Sequence, residues 1–248
     1  MMQLKTSAIV CTLLGHGEHG VIGRFLTAED GLVAGYIRGG RGRRLRPVLQ
    51  PGNIVALTLA ARLDNQLASA TVELGEARAA LITGSFGLAT LEWATILTAA
   101  ALTEGAPHPA LHAGLDALVA MLAAEAPPVQ TAEALARYEL LLLAETGFGL
   151  DLASCAATGT TQDLAFVSPR SSQAVSRTAG LPWAARLLPL PAFLITDHRP
   201  DASDVHAALV LTRHFLARDI LAGSAARLFA ARDRLTARLP VDESGTSG

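Results

Sequence analysis

The chain has 248 residues, half of them hydrophobic and 17% charged, with a formal net charge of −2. That excludes a disordered tail protein, allows one large domain or two small ones, and leaves the bulk charge silent about nucleic acid. The distribution says more: residues 1–78 hold nine Lys+Arg against six Asp+Glu, residues 79–160 one against eight, and residues 161–248 ten against eight. A basic front and an acidic middle imply surfaces with different partners.

The first 75 residues read as five short strands separated by turns. Thr6–Leu14 is apolar and β-branched, and Val21–Thr27 follows a Gly/His turn. Ala28–Gly31 turns on Asp30-Gly31, and Leu32–Arg38 comes next. Gln50-Pro51-Gly52 is another turn. Asn53–Arg62 reads as a strand buried on both faces, Leu63–Gln66 as a turn, and Leu67–Leu74 as the last strand. Five strands with regular turns suggest a small barrel or sandwich, and an oligonucleotide-binding (OB) barrel is one five-stranded solution.

Between the third and fourth strands lies the most informative segment, Arg38-Gly39-Gly40-Arg41-Gly42-Arg43-Arg44-Leu45-Arg46. Five of these nine residues are arginine, three are glycine and none is acidic. Arginine offers a planar fork of donors that matches phosphate oxygens. Glycine lets the backbone bend and approach a ligand closely. The segment reads as a flexible loop for a polyanion, with Arg38, Arg41, Arg43, Arg44 and Arg46 on phosphates. Lys5 and Arg24 extend that surface if their strands present the same face, and Tyr36 is placed to stack on a base. With Phe25 the only other aromatic residue before position 78, binding is expected to be electrostatic and largely independent of base sequence.

After Arg78 the pattern becomes helical. Leu81–Thr103, Pro109–Ala124 and Thr131–Thr146 are rich in Ala and Leu and bounded by Pro or Gly. The long apolar run Leu81–Leu102 carries only Glu92 as a charge and reads as a buried core helix rather than a membrane span. Residues 150–200 lose periodicity. Ser203–Ala222 and Ser224–Leu239 resume helix, the latter bearing Arg227, Arg232, Arg234 and Arg238 as a second candidate for DNA. Val241–Gly248 is expected to be a disordered tail.

Other motifs carry less. Gly15-x-Gly17-x-x-Gly20 has the letters of a dinucleotide fingerprint, but a strand follows it where a helix is needed, so it reads as a Gly-rich hairpin. His108 and His112 have helical metal spacing without a third ligand. No nucleophile elbow, P-loop or H-E-x-x-H is present, and no catalytic residue is assigned. Cys11 and Cys155 make neither a disulfide framework nor a complete zinc site. The N-terminus has no apolar signal core, which points to the cytoplasm.

Taken together in order, several segments resemble the DNA repair and recombination mediator family RecO. They are Ala8-Ile9-Val10, Glu18, Phe25–Gly31, the basic loop from Gly39 to Arg46, and Leu49-Gln50-Pro51. Arg137-Tyr138-Glu139-Leu140 with Gly147, Leu150 with Cys155, and Phe166-Val167-Ser168-Pro169 complete the series. The resemblance implies an α+β protein: a five-stranded OB-type β-barrel over 1–78, then a mainly α-helical domain over 79–240 with an irregular insert at about 150–200. It implies binding and annealing of single- and double-stranded DNA, and loading of recombinase onto strands coated by single-strand-binding protein. The implied partners are RecR, RecA and the acidic tail of single-strand-binding protein, with no covalent chemistry and no membrane. Arg137, the only cation in the acidic region, is a candidate for a partner's carboxylates or for local pairing with Glu133 or Glu139.

One departure stands out. Many members carry a four-cysteine zinc knuckle, whereas here Cys155 stands alone, with Thr158, Ala174 and Arg177 in the other places. The expectation is no zinc, with the segment held by Leu164, Phe166, Val175 and the Leu181–Phe193 stretch. An RNA-binding accessory protein, a protein-interaction module using the same loop, and a hydrolase with an unrecognised site are the alternatives.

Overall fold

A computed structural model describes residues 2–61, 66–223 and 225–239. The turn expected at Leu63–Gln66 falls largely outside the described residues, and the tail expected at Val241–Gly248 falls wholly outside them. The chain forms two compact units, Met1–Ala126 and Pro127–Gly248.

The first unit begins with five strands: β1 (Met2–His16), β2 (Gly20–Thr27), β3 (Leu32–Ile37), β4 (Ile54–Ala61) and β5 (Ala68–Glu76). They close in the order β1-β2-β3-β5-β4, with β4 returning to β1. β1 is longer than its apolar run suggests because it serves two neighbours, pairing with β4 through its first half and β2 through its second. A register shift between Val10 and Thr12 marks the bend. A bulge supplies the local twist that one strand needs to turn between two partners.

Alternation sorts the side chains. Ala8, Val10, Val21, Phe25, Ile37, Val55, Leu57, Leu59, Ala70 and Val72 point inward and form one core. The outward residues Ile9, Cys11, Leu26 and Leu32 are nevertheless fully buried. Helices α1 (Ser85–Ala101), which packs along β1, and α2 (Pro109–Ala123), which packs on β2, provide the cover. β4 is buried chiefly on its inward row, Val55, Leu57, Leu59 and Ala61, with Ala56 exposed on the other side. The two-faced burial expected from its unbroken apolar composition is therefore not found. α1 starts at Ser85, four residues later than the apolar run, because Gly84 sits at φ 73° and ends the preceding turn. Glu92 lies on an exposed stripe with Leu88 and Ala100 while Trp93, Ala94 and Leu97 are buried. Among the described residues, no helix is long and apolar enough to cross a membrane.

The second unit opens with α3 (Pro128–Glu145). It begins three residues before Thr131, with proline in the first turn, where a missing N–H costs nothing. The region expected to be irregular contains a small sheet of β6 (Leu164–Val167), β7 (Ala174–Ser176) and β8 (Leu188–Pro189), in the order β7-β6-β8, and a single helical turn, α4 (Arg177–Gly180). α5 (Ala202–Phe215) starts on a capping box made by Asp201 and Asp204, then widens into a π-helical turn at Leu216–Ile220. α6 (Ala225–Thr236) follows.

Candidate nucleic-acid interface

The arginine segment is not a floppy loop. From Arg38 to Leu49 the chain is a succession of turns. Gly39 takes φ 69°, and the N–H of Gly42 donates to its carbonyl at 2.8 Å. Leu45 and Arg46 donate N–H groups to Gly42, and Leu49 donates to Leu45 at 2.9 Å. Leu45, Val48 and Leu49 pack against the barrel core, Leu49 being 1% exposed. Buried Asn53 fixes the far end: its Nδ2 donates to the carbonyls of Pro47 (2.9 Å) and Val48 (3.2 Å), and its Oδ1 accepts from the Ala79 N–H at 3.0 Å. The expectation of a flexible loop is thus corrected. Leu45 among the arginines, and Val48 and Leu49 just beyond them, anchor it, so the charges are displayed from an ordered frame.

Arg38, Arg41, Arg43, Arg44 and Arg46 are all exposed. Among the described residues none of the five has a carboxylate within salt-bridge distance. Arg78 shows the contrast. It binds Glu76 at 2.8 Å and Asp116 at 2.6 Å. Burial lowers its proton affinity, but those two carboxylates outweigh burial and hold it above its ordinary value. The loop arginines have no such internal neutralisation, which leaves them free for phosphate oxygens.

The first hairpin joins this surface. The Arg41 N–H donates to the His19 carbonyl at 3.2 Å, tying the basic loop to the β1–β2 turn. The three fingerprint-like glycines have local uses. Gly17 occupies the turn at φ 62°. A Cβ at Gly15 would lie 1.8 Å from a guanidinium nitrogen of Arg41, and one at Gly20 would lie 2.4 Å from the Tyr36 ring. Arg41 and Tyr36 therefore lie close against backbone that carries no Cβ. Exposed His16 meets Tyr36 edge-on, ring centroids 5.6 Å apart. Sequence reasoning did not single out His16; the cross-strand pairing His16↔Gly20 and Ile22↔Tyr36 is the signal that brings them together.

The other candidates are placed differently. Lys5 is exposed on the outward row of β1, opposite Thr58 of β4. Arg24 is outward on β2 but engaged: it donates to the Ala99 carbonyl at the end of α1 and pairs with Glu104 at 3.3 Å. Arg137 pairs with Glu133 at 3.1 Å, donates to the Phe193 carbonyl at 2.8 Å, and lies over the Phe193 ring at 5.4 Å, with its side chain 48% exposed. Arg232 is removed from the C-terminal DNA candidates. It is 1% exposed and forks onto Glu139, both contacts at 2.8 Å. Arg234 and Arg238 remain on the surface, while the side chain of Arg227 lies outside the described residues.

At the knuckle position, Cys155 is buried and its Sγ accepts the Ser176 N–H at 3.2 Å. Burial pushes this thiol up, but hydrogen bonds from Ser176, Thr158 and Ala157 outweigh it and bring it down to about 6. The four knuckle positions offer one sulfur where structural zinc takes four ligands, so they do not fit that ion. Val175 and Phe193 are buried here as expected, whereas Leu181 and Trp183 are 67% and 57% exposed and contribute no core. Cys11, sealed under α1, is pushed up to about 12 by burial.

Comparison with known proteins agrees with this arrangement. Residues 1–77 match the family model described as "Recombination protein O N terminal", and residues 86–224 match "Recombination protein O C terminal". A "DNA repair protein RecO" from Rhodospirillum centenum is 45% identical over 240 residues, covering 96% of this chain and 94% of the relative. One of the same name from Caulobacter vibrioides is 44% identical over 217 residues, covering 87% and 88%. Another from Rhizobium etli is 42% identical over 238 residues, covering 94% and 90%. Two matching domains and identity along nearly the whole length show that this chain belongs to the RecO family.

Proposed function

We propose that the protein is a non-enzymatic DNA-binding mediator of recombinational repair. It binds and anneals DNA through the arginine loop and helps load recombinase onto single strands coated by single-strand-binding protein. The observation that carries this reading is the set of five exposed arginines, without internal carboxylate partners, on an anchored loop. Phosphate is the natural counter-charge for such a set, and it demands no particular base. Tyr36 and His16 add a half-exposed aromatic edge beside Arg41, and Lys5 lies on an outward strand face. Arg24 acts mainly in holding α1 to the barrel.

The helical region takes the protein partners: RecR, RecA and the acidic tail of single-strand-binding protein. Arg137, half exposed over an aromatic ring, is the candidate for a tail carboxylate. The Cys155 segment works without zinc, its thiol held by backbone and hydroxyl donors. The cytoplasm is the compartment this role requires.

The test is binding of a labelled single-stranded oligonucleotide across a salt series, wild type beside the variant with all five loop arginines replaced by alanine. If each arginine releases one counterion, the wild-type slope of log K on log salt includes about −3.5 from the loop, at roughly −0.7 per contact. That component disappears in the variant while its thermal melt stays put. Equal affinity and slope in the two proteins would reject the loop as the DNA surface.

A further inference from the structure

We propose that a hollow at the edge of the arginine loop receives one unpaired base of a single strand while Arg43 and Arg46 hold the phosphates beside it. This rests on the reading of the loop as a DNA surface and adds a place for the base. The hollow has a volume of about 540 Å3. Arg43, Arg46 and Pro47 line it together with Leu74, Ala77 and Ala80, and among the described residues no acidic one is in its lining.

Two features single it out. First, Leu74 continues the inward row Ala70, Val72 of β5, yet it stands 44% exposed. The row has run past the closed part of the barrel, leaving an apolar side chain in water where a buried one is the rule. Ala77 and Ala80 are exposed beside it. Second, this apolar floor adjoins two exposed, unneutralised guanidinium groups. A ligand that fits both has an anionic linker and a flat apolar face, as a nucleotide in a single strand does. Duplex DNA keeps its bases stacked and offers only the linker. An arginine plane at the rim can also stack on a splayed base. An acidic peptide with one apolar side chain shares part of this chemistry. The other three arginines of the same loop favour a polymer carrying a charge at every repeat.

The experiment compares a base-bearing single strand with an abasic strand of equal length, on the full chain at one salt concentration. Wild type is set beside the double variant Ala77→Leu/Ala80→Leu, which fills the hollow with aliphatic bulk at exposed positions and leaves every charge in place. Wild type is expected to bind the base-bearing strand about fivefold more tightly, the low end of what a packed base contributes. The variant should lose most of that preference, any remainder belonging to Tyr36, with unchanged affinity for duplex. Equal binding of the two strands by wild type overturns the hollow and leaves the phosphate-binding loop standing. A base preference as large in the variant as in wild type overturns it as well, and loss of only an acidic peptide's binding in that variant would reassign the hollow to a peptide. Failure of wild type to bind any strand at low salt is the separate failure of the DNA reading itself.

Discussion

The buried pair Glu139–Arg232 shows how differently two arginines of one chain can be used. Glu139 on α3 is 0% exposed, and Arg232 on α6 forks onto it. Thr212 on α5 lies between them, its hydroxyl bonded to Glu139 Oε2 and accepting from Arg232 Nη2. A fourth guanidinium contact goes to the Leu209 carbonyl. Three helices thus meet on one charged cluster inside the second unit. Removing one member strands the other as an uncompensated buried charge, which costs about 3–5 kcal/mol. Arg232→Met is therefore expected to lower the urea midpoint sharply. Arg232→Met with Glu139→Leu and Thr212→Val should recover much of that loss, because well-packed apolar residues often replace a buried pair without penalty. No recovery in the triple variant would show that the cluster's shape, rather than its charge, holds the helices. In sequence Arg232 is indistinguishable from Arg234 and Arg238, since only tertiary pairing removes it from solvent. The five loop arginines were legible because crowding without acid is a local property.

At the scale of elements, one uncharged side chain fixes the far end of the loop between β3 and β4. Asn53 closes three hydrogen bonds, two to loop carbonyls and one from the Ala79 N–H, while 1% exposed. Asn53→Ala leaves those backbone groups without their partner, at about 1–3 kcal/mol. The chain beyond Arg46 should loosen first. Limited trypsin digestion then cuts after Arg43 and Arg44 faster in the variant than in wild type, at a temperature where both remain folded; Arg46 is shielded by the proline that follows it. An unchanged cleavage rate would place the loop's order in Leu45 and Leu49 instead. The strands and their turns were readable from alternation and from Asp30-Gly31, because both signals are local. The anchoring of the loop was not, because Asn53 reads as the first residue of a strand until its partners are known. Three strands of four, three and two residues within 164–189 were equally hidden, being too short to show a period.

At the scale of the whole molecule, the barrel is not self-sufficient. Its inward core closes on itself, but Ile9, Cys11, Leu26 and Leu32 point outward and are fully buried. α1 packs along β1 and α2 on β2, and Arg24 ties β2 to the end of α1 through Ala99. Both helices belong to the same compact unit as the strands, which ends at Ala126. Composition places a change at Arg78, where strand-like sequence gives way to helix, and the matching family domains part between 77 and 86. Neither boundary reports which outward-facing strand residues need cover. Uncovering three leucine- or isoleucine-sized side chains forfeits about 1.5–3 kcal/mol each, comparable with the whole stability of a small domain. A fragment ending at residue 78 is therefore expected to lack a cooperative thermal transition or to associate through the bared face. A fragment ending at Ala126 should melt cooperatively and retain the salt-dependent DNA binding of the arginine loop. Calorimetry on the two fragments decides the point: a cooperative, monomeric transition from the shorter one would mean that the barrel repacks its outer face without the helices.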